Sequence, residues 1–112
     1  MQPRLKAEIW VKAHIRKCAG HNVPVMVVRR GDDTAGIVLI KVNRLGPGCM
    51  VFAPTTNFED GSRQWRRATG ADWINEADAD AYIEKQIKFD SDLWVLEIED
   101  RDGRPFLDEK IE

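Results

Sequence analysis

Val23-Pro24-Val25-Met26-Val27-Val28-Arg29-Arg30 runs directly into Gly31-Asp32-Asp33-Thr34-Ala35 and then into Gly36-Ile37-Val38-Leu39-Ile40-Lys41-Val42-Asn43-Arg44. The outer two runs are rich in Val and Ile, whose branched side chains suit a pleated surface, and the five residues between them carry turn chemistry. The pattern predicts a hairpin. Asn43 to Gly48 supplies the next turn, and Cys49 to Thr56 reads as a third strand, ended by Thr55-Thr56-Asn57 and the Glu59-Asp60-Gly61 turn. Ser62 to Thr69 reads as a fourth strand. Successive hairpins of this kind favour an antiparallel sheet with helices packed on it, an α+β domain, over a parallel sheet.

Arg4 to Ala19 contains good helix formers, with Gly20 and Asn22 as stop signals before Pro24. The apolar residues of this first helix (Leu5, Ile9, Trp10, Val11, Ile15 and Cys18 among them) spread round most of the helical wheel, which predicts cover on more than one side, by a second element or a second copy of the chain. Asn75 can cap a second helix, whose Glu76, Asp78 and Asp80 suit the positive end of its dipole and whose Lys85 and Lys88 suit the other. Ala79, Ile83 and Ile87 form its core stripe, widened by Tyr82 and Phe89. Leu93 to Glu99 alternates, with Trp94, Leu96 and Ile98 on one face and Val95, Glu97 and Glu99 on the other, as in a half-buried strand. Asp100 to Gly103 is a tight turn, after which Arg104 to Leu107 returns as a short last strand. The expected order is α-β-β-β-β-α-β in one domain over residues 1–112, a mainly antiparallel curved sheet of four to six strands packed by two helices.

A net charge of -2 conceals two opposed halves. Met1 to Gly70 holds twelve Lys and Arg against five Asp and Glu, whereas Ala71 to Glu112 holds five against fourteen. Such asymmetry fits a fold that neutralises itself, an anion-binding face, or a head-to-tail oligomer. The longest apolar runs, Val25 to Val28 and Gly36 to Ile40, are too short to span a bilayer, and Lys6, Glu8 and Lys12 interrupt any secretory leader. A cytoplasmic setting is expected, with Cys18 and Cys49 as free thiols.

The stretches Pro3-Arg4-Leu5-Lys6-Ala7-Glu8-Ile9-Trp10-Val11, Val27 to Asp32, Val38 to Asn43, Glu76 to Ile83 and Asp92 to Arg104 together resemble, over nearly the whole chain, the bacterial family called domain of unknown function 1491, found chiefly in alphaproteobacteria. The resemblance implies a bacterial, stand-alone, cytoplasmic domain. It carries over no catalytic residue, cofactor or substrate.

Four constellations bear on chemistry. Ser62-Arg63-Gln64-Trp65-Arg66-Arg67 sets an aromatic among arginines, so that Arg63, Trp65 and Arg67 share a strand face that could stack a base and hold phosphates. Arg29, Arg30, Lys41 and Arg44 on the neighbouring hairpins would extend it. The competing reading packs Trp65 in the core and pairs the arginines with the acidic half, and a pI near 5.7 favours that reading. His14, Cys18 and His21, spaced i, i+4 and i+7, with Cys49 as a fourth ligand, would suit tetrahedral zinc, although Gly20 ends the helix before His21. Glu8, Asp32 and Lys41 loosely resemble the metal-dependent nuclease arrangement, but the acid required two residues before the lysine is Leu39. Asp100-Arg101-Asp102-Gly103 with Glu109 partly mimics a calcium loop, whose first ligand would be Ile98 and whose course Pro105 interrupts. No cofactor is expected. The reading that emerges is a non-catalytic interaction or regulatory module for a protein partner or a second copy of itself, with nucleic-acid binding by the basic hairpins as the alternative and no membrane association.

Overall fold

Strand β5 (Trp94–Glu99) lies between β1 (Val25–Arg29) and β2 (Val38–Asn43) in a computed structural model that describes residues 5–112. The remaining elements are α1 (Ala7–Ala19), β3 (Cys49–Thr56), β4 (Arg63–Arg67) and α2 (Glu76–Phe89), and the five strands run in the spatial order β1-β5-β2-β3-β4. Three of the four strand pairings are antiparallel, and β2 with β5 is parallel. The α+β class and the element order are as the sequence predicts. Arg4, the expected first residue of the first helix, lies outside the described residues.

The hairpin expected of Val23–Arg30 with Gly36–Arg44 does not form. β5 enters between its two arms, and the physical reason is apolar surface. Leu93 and Val95 are buried on one side of β5, and Trp94, Leu96 and Ile98 on the other, so this strand is stable only with neighbours at both edges and cover on both faces. Strands spaced about 4.8 Å apart leave roughly 10 Å between β1 and β2, a gap that residues 30–37 span easily. That loop wraps the entrance to β5: Asp32 N–H donates to Asp92 O at 3.0 Å, and Trp94 N–H donates to Ile37 O at 2.8 Å. Arg104 to Leu107 is not a strand either. The C-terminal segment instead meets β4, where Ile111 bridges Trp65 in parallel sense.

The sheet separates two cores. On one face α1 buries Ala7, Val11, His14 and Cys18, a single stripe at i, i+4, i+7 and i+11, against Ile40, Val42, Phe52, Trp65, Trp94 and Leu96. On the other, α2 buries Ala79 and Ile83 against Leu39, Val51, Ala53 and Val95. Within the single chain no second element covers Leu5 and Ile9, which stand exposed. Phe89, expected in the α2 stripe, is exposed as well. Both helices are closed as their ends require. The first N–H groups of α1 donate to the Thr34 and Asp33 carbonyls, and Asn75 caps α2 by accepting from Asp78 N–H.

The loop wrapping β5 demands glycine where it crosses. A Cβ on Gly36 would lie 2.6 Å from Asp92 O and 2.8 Å from Trp94 Cδ1, whereas one on Gly20 meets nothing nearer than Lys17 O at 3.4 Å. Gly36→Ala is therefore expected to cost about 2 kcal/mol or more by overpacking, and Gly20→Ala to be neutral or stabilising by up to about 1 kcal/mol. Urea denaturation of the two variants checks the difference.

Candidate functional site

The most unusual side chain in the protein is Lys41, which sits among the apolar residues Leu39, Ile40 and Val42 of β2 and keeps only 4 % of its side-chain surface exposed. Its Nζ lies 2.7 Å from Glu76 and 2.7 Å from Asp80, both on the first turns of α2, and 3.1 Å from Glu97. The register explains the last contact, since β2 and β5 run parallel with Lys41 beside Glu97. The first two follow from helical spacing: residues four apart share a face, and the face of α2 turned to the sheet presents both carboxylates. Asn43 completes the cluster, its amide donating to Glu76 at 3.1 Å and Glu97 at 3.3 Å.

An ammonium has three donors, and here each finds a carboxylate. Burial alone would lower the Lys41 pKa, but hydrogen bonds to Asp80, Glu76 and Glu97 more than reverse this and hold it well above the ordinary lysine range. A lysine held in its charged form offers no lone pair, so Lys41 cannot act as a general base or form an imine at neutral pH. Its role in this arrangement is to fasten the start of α2 to the centre of the sheet.

The other basic residues predicted for one face lie apart. Trp65 has no exposed surface and donates its indole N–H to Glu109 at 3.1 Å, so no base can stack on it. The guanidinium of Arg63 sits 5.8 Å from the Trp65 ring, Arg67 donates to Glu112 O at 2.8 Å, and Arg66 is exposed. These three are on β4. Arg29 and Arg30 are at the opposite edge of the sheet, Arg29 donating to Ser91 O, and Arg30 lying against Trp94 and pairing with Asp33 and Glu8. Arg44 lies against Trp73 and donates to Arg101 O. Lys41 is buried beneath α2, which removes it from any basic surface.

The zinc set does not assemble. Cys18 belongs to the core under α1 and Cys49 to the core under α2, so the sheet stands between them. The His14 ring stacks on Trp10 at 4.7 Å, and its Nε2 donates to Pro105 O at 2.9 Å; burial pushes its pKa down. His21 lies beyond the helix against Phe106. Among the described residues, no group of three or more His, Cys, Asp or Glu is placed to hold a metal ion. The nuclease-like trio is equally dispersed. Glu8 pairs with Lys12, Asp32 accepts from the N–H groups of Thr34 and Ala35, and Lys41 faces α2. Asp100, in the calcium-like loop, is buried and receives three hydrogen bonds from Arg104, which hold its carboxyl below the usual range and tie off the turn.

These features define a small α+β domain with a mixed five-stranded sheet, a helix on each face and a lysine locked among carboxylates. The chain belongs to the DUF1491 family, described as a protein of unknown function, whose model matches residues 5–108. It is similar to the crystal structure of a DUF1491 family protein from Caulobacter crescentus CB15, with 42 % identity and a TM-score of 0.87 over 97 % of this chain and 100 % of that one. An NMR structure of a DUF1491 family protein from the same organism gives 41 % identity and a TM-score of 0.83 over 99 % of each chain. The solution structure of protein Atu0922 from A. tumefaciens gives 25 % identity and a TM-score of 0.73 over 87 % of this chain and 86 % of that one. No curated protein matches the chain.

Because the folded pKa of Lys41 is raised, its contribution is fully present below the unfolded value of about 10.4 and fades only as pH climbs through the folded one. Lys41→Met should lose about 2 to 4 kcal/mol, nearer the lower figure because Glu76 and Asp80 keep solvent contact, with the same deficit relative to the native chain at pH 7 and pH 9. Urea titrations at the two pH values measure it.

Burial raises the pKa of both thiols. Cys18 and Cys49 should therefore resist a thiol reagent at neutral pH in the folded protein and react promptly in denaturant. Mass spectrometry of the labelled protein gives the count in each state.

Proposed function

We propose that this protein is a non-catalytic interaction module that pairs with a second copy of itself through the open edge of β1. One observation carries the reading: the two edges of the sheet are treated differently. At β4 the chain covers its own edge, with Trp65 N–H donating to Lys110 O and Glu112 N–H donating to Trp65 O, both at 2.8 Å. At β1 no further strand is present among the described residues, and Met26, Val27 and Val28 stand 50, 45 and 56 % exposed in succession. An unpaired edge bearing consecutive apolar side chains is a template for another strand.

Charge selects the occupant. An antiparallel pair centred on Val27 brings Arg29 of one chain towards the opposite end of β1 in the other, where Glu99 donates its N–H to Pro24 O. Neither Arg29 nor Glu99 has an ion-pair partner among the described residues. The same twofold arrangement keeps the two arginines apart. The bulge between Val27 and Arg29 limits the ladder to a few residues, which suits a modest, reversible dimer. No side chain described above is poised for bond chemistry, since Lys41 is locked and both thiols are buried. Two free buried thiols also suit a reducing cytoplasmic setting.

Sedimentation equilibrium tests the reading. The native chain is expected to dimerise with a Kd between about 10 and 300 µM, and Val27→Lys, placing like charges across the twofold, to weaken this at least about tenfold. A native chain that stays monomeric through that range overturns self-association. Salt-sensitive binding of fluorescent single-stranded RNA, lost in Arg66→Ala/Arg67→Ala, would move the function to nucleic acid.

A further inference from the structure

The sheet opens where β2 and β3 part, and proline is the cause. The β2–β3 register ends at Ile40 opposite Phe52, two residues before Pro54. Pro54 sits opposite Trp65 of β4, whose N–H and C=O are both taken by the C-terminal segment on its far side. The Pro54–Trp65 pair is therefore one of the non-hydrogen-bonded pairs of the ladder, which turns the Pro54 nitrogen towards β2. Having no hydrogen there, it cannot continue that ladder. The strands separate, and the first turn of α1 and the Thr34 to Ile37 loop close the gap into a cleft of about 350 Å³. That volume lies at the lower end of small-molecule sites.

The lining has a definite chemical character. Trp10, Val38 and Pro54 give apolar walls, and Thr55 and Thr56 add hydroxyls. Two cations, Lys6 and Arg63, border it, and no Asp or Glu does. Among the described residues neither cation has a carboxylate within ion-pair distance, and residues 1–4 contain no acid that could supply one. The distinguishing feature is that both cations border one apolar cleft with no acid in its lining. Two backbone donors of the α1 N-terminus, those of Ala7 and Glu8, are already given to Thr34 and Asp33. Recognition there would rest on the two side-chain cations.

We infer that this cleft is a binding site for a carboxylate carried on a short apolar or aromatic body, the charge held between Lys6 and Arg63 and the body against Trp10, Val38 and Pro54. Such a group exists as a free small acid or as the C-terminus of a peptide ending in an apolar residue. The inference does not depend on the β1 edge, which uses other residues.

NMR titration of the full chain tests it, with 3-phenylpropionate and 3-phenylpropionamide as one pair of probes and acetyl-Ala-Ala-Phe with a free or amidated C-terminus as the other. Saturable shifts are expected at the Ala35 and Thr55 amides and the Trp10 indole for the acids, with affinity at least about fivefold lower for the matching amides. Lys6→Gln and Arg63→Gln should each weaken acid binding by about fivefold or more, and Ala35→Leu should abolish it by filling the cleft without altering charge. The dispersion of each variant spectrum reports its folding. Binding of the small acid alone identifies a metabolite-sized ligand, binding of the peptide a chain terminus, and either supports the site. Equal response to acid and amide, unchanged affinity in the folded variants, or no saturable shift with any probe overturns it.

Discussion

Everything in this fold depends on β5 reaching the middle of the sheet. It is the last strand in the chain and a central one in space, so β1 has no partner and β2 lacks one edge until residues 94–99 arrive. The parallel register it makes with β2 sets Glu97 beside Lys41, and its Trp94 indole N–H reaches back to Asp32 O at 2.7 Å, fixing the loop that straddles it. Pairings between such distant segments carry a large loop-closure entropy, recovered only when both faces of β5 are covered. The domain is therefore expected to be cooperative, because neither half of the sheet is complete without the strand that the other half's sequence precedes.

The opposed charges of the two halves find their explanation in the same topology. The acidic second half supplies α2 and β5, and these lie directly on the basic first half. Lys41 draws on Glu76, Asp80 and Glu97, and Lys17 pairs with Asp108. Part of the asymmetry is thus internal neutralisation, with the most deeply buried instance at the sheet centre. Removing the Lys41 ammonium and most of the Glu97 carboxylate from water is costly, and an apolar cluster could fill the same space at no greater cost. What the ionic cluster adds is selectivity, since it is satisfied only when α2 sits in one position and β5 in one register.

The legible parts of the sequence were those set by local chemistry. The strand at Leu93 to Glu99 with its two alternating faces, the Asn75 cap and the order of elements all reflect residues acting on their immediate neighbours, but the strand is not half-buried as its alternation predicts, because α2 covers the face that carries Val95. Strand order does not, since Val25 to Arg29 pairs as well with β5 as with β2 and only the apolar surface on both sides of β5 decides. Lys41 reads as solvent-facing because strands with one wet face put charges there. The available signals were its apolar neighbours Leu39, Ile40 and Val42 and two acids spaced four apart on the helix that covers it. The spacing of His14 and Cys18 does place both on one helical face, as read, but that face is the core stripe, and the sheet keeps Cys49 on its far side.

The unequal edges and the cleft share an origin in how the chain's ends are used. The C-terminal segment covers β4 and also grips α1, through Pro105 O on His14 and Asp108 on Lys17, while Glu109 holds the Trp65 indole. Because that segment occupies the Trp65 backbone, Pro54 is left facing β2 with no hydrogen to donate, and the sheet parts there rather than elsewhere. At the other edge α1 is tied to the 30–37 loop through its Ala7 and Glu8 N–H groups and through Glu8 to Arg30, and β1 is held by its pairing with β5 and by Arg29 to Ser91 O. The chain therefore closes itself tightly on the β4 side. On the readings proposed above, the surfaces that meet other molecules are the β1 edge, where no described segment covers Met26 to Val28, and the gap that closing β4 forces open between β2 and β3.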